Sequence, residues 1–116
     1  MTAINLSEKL ATFNEHWSPR IIADFNGHDV MVVKIKGVFN WHSHPDTDDF
    51  FLVLKGNITI KLRDQDIHLT AGEMYVVPKG VEHCPVAAEE AEVLLIEPHN
   101  TPNTGDPATA VYKPRI

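Results

Sequence analysis

A single cysteine, Cys84, leaves the chain no partner for an intramolecular disulfide and excludes a four-cysteine zinc site within one chain. That usage fits a reducing cytoplasm. Basic residues are also sparse, 10 against 16 acidic for a formal charge of −6. Those nearest the middle of the chain, Lys34, Lys36, Lys55, Lys61 and Arg63, stand apart from one another, so the electrostatic footprint of a nucleic-acid binder is missing. No long apolar run is present either. The segment from Met1 to Trp17 carries Glu8 and Glu15 and reads as neither a signal peptide nor a membrane anchor. At 116 residues, 43% of them hydrophobic, the chain has enough material for one core and not for two. The expectation is a soluble cytoplasmic protein of one domain.

What is present falls into two periodicities. Leu6, Leu10, Phe13 and Trp17 lie on one stripe at helical spacing, Asn5 and Glu8 form a capping-box pair, and Pro19 disfavours helix beyond Ser18. A short N-terminal helix of up to about three turns is expected on that pattern. From Ile21 the pattern changes to short Val, Ile and Phe runs broken by turn residues, the rhythm of an antiparallel β-fold of eight or so strands. Ile58, Ile60 and Leu62 alternate with Asn57, Thr59 and Lys61, giving one buried and one wet face. Phe50 to Leu54 is apolar on both faces, so its second side calls for cover by the helix or by another subunit, which points to a homodimer. From His99 to Pro107 apolar content nearly vanishes. The organisation expected is a helical arm over residues 1–20, a barrel over 21–97 and a loop and tail over 98–116.

Of seven histidines, three can converge. His42 and His44 are at i and i+2, so in a strand they leave the same face roughly 6.5 Å apart, close enough for two imidazoles to share one ion. Taken alone, such a pair equally suits two residues satisfying backbone groups at a strand end. His83 follows the turn Pro78-Lys79-Gly80 and opens another apolar strand that an antiparallel barrel can bring opposite the pair. Three imidazoles with a carboxylate suit one divalent transition metal such as Fe, Mn, Ni or Zn. Cys84 adjoins His83 and therefore points to the other face, where a buried inert thiol is the simpler reading. His16, His28 and His68 read as surface residues, and His99 would reach the barrel mouth only if the tail folds back.

These residues carry a resemblance. Gly37, the His42-Ser43-His44 triplet, the acidic Asp49 and Gly56 follow the first motif of the cupin superfamily, and Gly72, Pro78, Gly80 and His83 follow its second. The resemblance covers roughly residues 21–97. It implies an all-β double-stranded β-helix, the jelly-roll barrel, behind a short N-terminal helix. It implies a metal inside the barrel mouth held by His42, His44 and His83, with Asp49 at the position where the family carries glutamate. Aspartate is one carbon–carbon bond shorter, roughly 1.5 Å. It can ligate directly after a small strand shift, act through a water, or orient a histidine. Asp48 has the wrong strand parity if Asp49, Phe51 and Val53 face inward, as the family arrangement implies. Ala87 stands where the second motif often ends in asparagine.

The resemblance implies enzymes that oxygenate, isomerise, or cleave and decarboxylate small organic molecules through the open positions of such a metal. A non-catalytic module that binds or senses a metal or small ligand, and a purely structural barrel with vestigial histidines, fit the same residues. The pocket walls expected are Phe39, Phe51, Val53, Met74 and Val76, with Tyr75 or Trp41 as a polar tip at the rim. Glu73, Glu82 and Glu97 read as surface or strand-end acids, which leaves no general base outside the ligand set. A phosphorylated sugar is disfavoured, because neither a glycine-rich loop nor a paired Arg/Lys cluster lies near the predicted mouth.

Overall fold

The computed structural model describes residues 2–116 and follows the alternation of the sequence closely. Helix α1 is Leu6–Leu10, and the strands are β1 Arg20–Phe25, β2 His28–Val38, β3 Asp49–Lys55, β4 Asn57–Leu62, β5 Asp66–Thr70, β6 Met74–Val77 and β7 His83–Pro98. All pairings between strands are antiparallel. The organising element is β7, which pairs with β2 along one edge, while its other edge is shared by β4 near the start (Thr59 opposite Val86) and β3 near the end (Phe50 opposite Ile96). A strand that serves two partners in succession on one edge rolls the sheet over itself, and the path β1-β2-β7-β3-β6 with β5 beyond β4 is a jelly-roll barrel. Among the described residues no helix is long and apolar enough to cross a membrane.

The interior is filled by the inward parity of these strands: Val33 and Ile35, Phe51 and Val53, Ile58 and Ile60, Ala91 and Val93. Ile60 is fully excluded from solvent. Ile60→Ala removes buried methylene groups from a close-packed site and is expected to cost about 3 kcal/mol, read as a lowered urea midpoint at unchanged slope. A cost below about 1 kcal/mol would mean that the barrel collapses around the gap.

The helix is shorter than the apolar stripe predicts. Asn5 caps it, its side chain accepting the Glu8 amide at 3.0 Å, but it ends at Leu10 with Ala11 as C-cap. Phe13 still reaches the core, packed between the Arg20 guanidinium at 4.4 Å and the Lys34 ammonium at 5.2 Å from its ring centroid. Trp17 adopts a left-handed φ of 59°, donates its indole N–H to the Lys36 carbonyl at 2.8 Å and stacks on Phe39 at 4.8 Å. Leu10 and Phe13 are therefore buried, and Leu6 and Trp17 partly so, by a chain that leaves helix after the first two of the four. The cluster of Leu10, Phe13, Ile22 and Val32 covers one end of the outer sheet face and takes in Leu54. Farther along that face Phe50 and Leu52 pair with Val76 and Met74 and stay partly open.

The segment after Pro98 is ordered by its contacts. It returns to β1, where the Ile21 amide donates to Pro114 O at 2.9 Å, the Ile116 amide donates to Ile21 O at 3.0 Å, and Arg115 pairs with Asp24 at 3.0 Å.

Candidate metal centre

Each histidine is placed by backbone pairing. His42 and His83 exchange both amide-to-carbonyl hydrogen bonds, at 3.0 and 2.9 Å, which sets their rings on one side with centroids 4.3 Å apart. The turn that begins at Pro78 reaches across to the third histidine: the Gly80 amide donates to His44 O at 2.8 Å. Asp48 points away from the interior and accepts the Lys79 amide at 2.9 Å. That leaves Asp49, the first residue of β3, to enter the barrel, as strand parity predicts.

The His42, His44, Asp49 and His83 donor atoms lie within 4.8 Å of one another. Asp49 Oδ2 is 2.8 Å from His83 Nε2 and 3.4 Å from His44 Nε2. Metal–N and metal–O bonds of about 2.1 Å at right angles give a donor–donor edge of about 3.0 Å, so the shorter aspartate already stands at ligand spacing. The Nδ1 atoms of His42 and His83 face the carbonyls of Asn40 and Val81, both at 2.9 Å. An Nδ1–H donated to a carbonyl fixes the tautomer and leaves Nε2 as a lone pair toward the cluster. Asp49 Oδ1 and His44 Nε2 are buried without a hydrogen-bond partner. Buried polar atoms are rarely left unpaired, and a cation among these four donors would satisfy both.

The electrostatics agree. Burial, helped by the neighbouring imidazoles, pushes the His42 pKa down to about 4 despite the Asn40 carbonyl, so at neutral pH the ring is in the uncharged form that ligates. Burial alone would raise Asp49, but the adjacent His44 and His83 imidazoles outweigh it and hold the carboxyl below the usual carboxylate range. A donor set of imidazoles and one carboxylate fits a divalent transition metal.

Beside this cluster lies a cavity of about 50 Å³, bounded by His42 and Asp49 and otherwise largely apolar. Phe39 and Phe51 line it. Val53 is buried in the core and stands off the cavity wall. Met74 and Val76 do not line it: Phe51 pairs with Tyr75, so Tyr75 and Val77 turn inward while Met74 and Val76 are exposed on the outer face. Trp41 lies under the Arg63 guanidinium at 3.8 Å. Cys84 is buried with its thiol toward the Phe39 carbonyl, and burial raises its pKa, as suits an inert thiol. His99 pairs with Asp29 at 3.2 Å.

Glu97 departs most from the reading of the sequence. In place of an ordinary strand-end acid it is 4% exposed, lines the cavity and contacts Lys113 at 3.4 Å. Burial first, then the negative charge of Asp49, pushes its pKa up to about 7 against the pull of Lys113. The available signal was parity: Val93, Leu95 and Glu97 alternate onto one face. Asn103 and Lys113 of the tail also line the cavity, and no local pattern in a polar, proline-rich segment foretells that.

An antiparallel jelly-roll barrel with three imidazoles and a carboxylate gathered inside it defines a class of small β-barrel built around a buried polar centre. The Cupin_2 model of the cupin domain matches residues 29–99, and the chain belongs to the cupin family. A crystal structure of a cupin-2 domain protein from Shewanella frigidimarina NCIMB 400 shares 53% identity and superimposes with a TM-score of 0.82, covering 83% of this chain and 94% of that one. The uncharacterized protein YdbB of Bacillus subtilis (strain 168) is 34% identical over 107 residues, 82% of this chain and 88% of YdbB. A 3-hydroxyanthranilate 3,4-dioxygenase of Xanthomonas euvesicatoria pv. vesicatoria (strain 85-10) is 29% identical over 85 residues, 70% of this chain, and the chain spans 48% of that enzyme's length.

Proposed function

We propose that the chain is a metal-dependent enzyme acting on a small organic molecule, with one divalent transition metal held by His42, His44, Asp49 and His83. The observation that carries this reading is the pair of buried, unpartnered atoms, Asp49 Oδ1 and His44 Nε2, inside a cluster whose other donors are already turned toward its centre. Bound there, the ion supplies Lewis acidity and open positions for a chelating molecule. The chain does the rest. The Asn40 and Val81 carbonyls hold two imidazoles in register, Asp49 offsets part of the ion's charge, and the apolar wall of Phe39, Phe51 and Val93 keeps water from the bound molecule. The dioxygenase relatives support oxygenation as the first reaction class to assay.

The test is metal content by mass spectrometry on untagged protein purified without added metal, beside His42→Ala. Iron, manganese, nickel or zinc near one per chain, falling below about a tenth of that in the variant, is the expected result. A wild-type protein that neither carries metal nor takes up added ions would overturn the proposal.

A further inference from the structure

The cavity beside the cluster is asymmetric. Its deep wall comes from the barrel, including Met31, Val33, Phe51 and Val93, and is apolar. Its polar groups other than His42 and Asp49 are Glu97, Asn103 and Lys113. The last two belong to the tail, outside residues 29–99 that match the cupin domain. Lys113 is almost buried, 11% exposed at its side chain, and it binds Glu97 and the Thr101 carbonyl. Asn103 is oriented from behind, because its Oδ1 accepts the Val111 amide at 3.0 Å. That engages the acceptor end and leaves the Nδ2 hydrogens as the donors this cavity-lining side chain can offer.

Charge narrows the occupant. A divalent ion and Lys113 bring three positive charges against the carboxylates of Asp49 and Glu97, so at least one positive charge is left over in a low-dielectric pocket. Such a site favours an anion over its neutral isostere. At about 50 Å³, against roughly 10–15 Å³ for each water on the same measure, the space suits a compact body.

We infer that the tail is the specificity element of the site, Asn103 Nδ2 and Lys113 Nζ together recognising the carboxylate of a small, otherwise apolar monocarboxylic acid whose body lies against Phe51 and Val93. The charge argument rests on the metal reading above; the tail residues are present with or without the ion. In the competing view Lys113 only ties the tail to Glu97 and touches no ligand. The two views differ in what a neutral isostere should feel.

The experiment is calorimetric titration of acetate, isobutyrate and benzoate, each against its own amide, into the full-length protein with metal content measured on the same samples. Wild type should prefer the best-bound acid over its amide by about tenfold or more. Lys113→Met should lose about tenfold for the acid and little for the amide. Asn103→Asp keeps the Oδ1 that accepts Val111 and sets a second anion against the ligand, so it should lose acid binding more steeply and keep the amide, which makes it informative even if Lys113→Met fails to fold. Metal content should be unchanged in both. Equal affinity for acid and amide, equal losses for both in the variants, or no binding of any acid overturns the inference. If wild type takes up no metal, Lys113 faces the two carboxylates of Asp49 and Glu97 and the charge argument falls with the metal reading; a preference for acid over amide that still depends on Asn103 and Lys113 in that protein upholds the role of the tail, and its absence overturns it.

Discussion

His83→Ala is expected to leave a folded barrel that no longer responds to metal. Wild-type protein in a transition metal at about a thousand times its dissociation constant gains about 4 kcal/mol of stability from binding to the folded state alone. For a chain of this length that is a rise in Tm of about 15 °C. In the proposed centre His83 is one of the four donors, and its ring is also the nearest partner of Asp49 Oδ2, at 2.8 Å. Its removal strips one donor and frees another to turn, so the rise in Tm should vanish. The backbone bonds that join His83 to His42 do not involve the side chain and persist. The cost to the metal-free fold is that of a buried ring and a carboxylate left with a poorer partner, about 2–3 kcal/mol. Differential scanning calorimetry of both proteins with and without metal separates the two effects. A full metal-induced rise in the variant would remove His83 from the ligand set.

The parts of this site that were legible in the sequence are those fixed within one strand or turn. The spacing of His42 and His44 and the turn from Pro78 that leads to His83 are local, and the motif resemblance supplied the long-range pairing that spacing lacks. Asp49 against Asp48 followed from parity once the resemblance set Asp49, Phe51 and Val53 inward, and the structure gives Asp48 a separate task as acceptor of the Lys79 amide. What failed was register between strands. Placing Met74 and Val76 in the pocket required β6 to sit one residue away from where it does, and a slip of one residue exchanges the two faces. The stripe from Leu6 to Trp17 was equally ambiguous: helical spacing predicts burial correctly, yet tertiary contacts of Phe13 and Trp17 bury them through an irregular chain. The short reach of Asp49 looked like an obstacle to ligation, yet the start of β3 sets its Oδ2 2.8 Å from His83 Nε2 and 3.4 Å from His44 Nε2.

Gly105→Ala should be the most disruptive single-methyl change in the tail, and Gly27→Ala provides its control. Both glycines have φ of +77°, where an alanine is strained by about 1–2 kcal/mol through its backbone alone. At Gly27 an added Cβ meets nothing within 4 Å, so the strain is the whole cost and Tm should fall by about 4 °C. At Gly105 the added Cβ would overlap the carbonyl oxygen of Ser43, and that atom is backbone, with no rotamer through which to escape. Ser43 stands between His42 and His44, so relief requires that either the tail lift away or the ligand loop move. Overpacking adds about 1–3 kcal/mol to the strain, and the expected fall in Tm is about 12 °C. The consequence reaches the site by either route. A lifted tail takes Asn103 and Lys113 off the cavity and becomes open to protease between Pro98 and Ile116, whereas a displaced loop weakens metal binding and leaves the tail protected. Limited proteolysis and metal titration on the same variant tell which element yields. Equal falls in Tm for the two glycine variants would show that the tail carries no fixed contact with the ligand loop, and with it would go the case for the tail as part of the site.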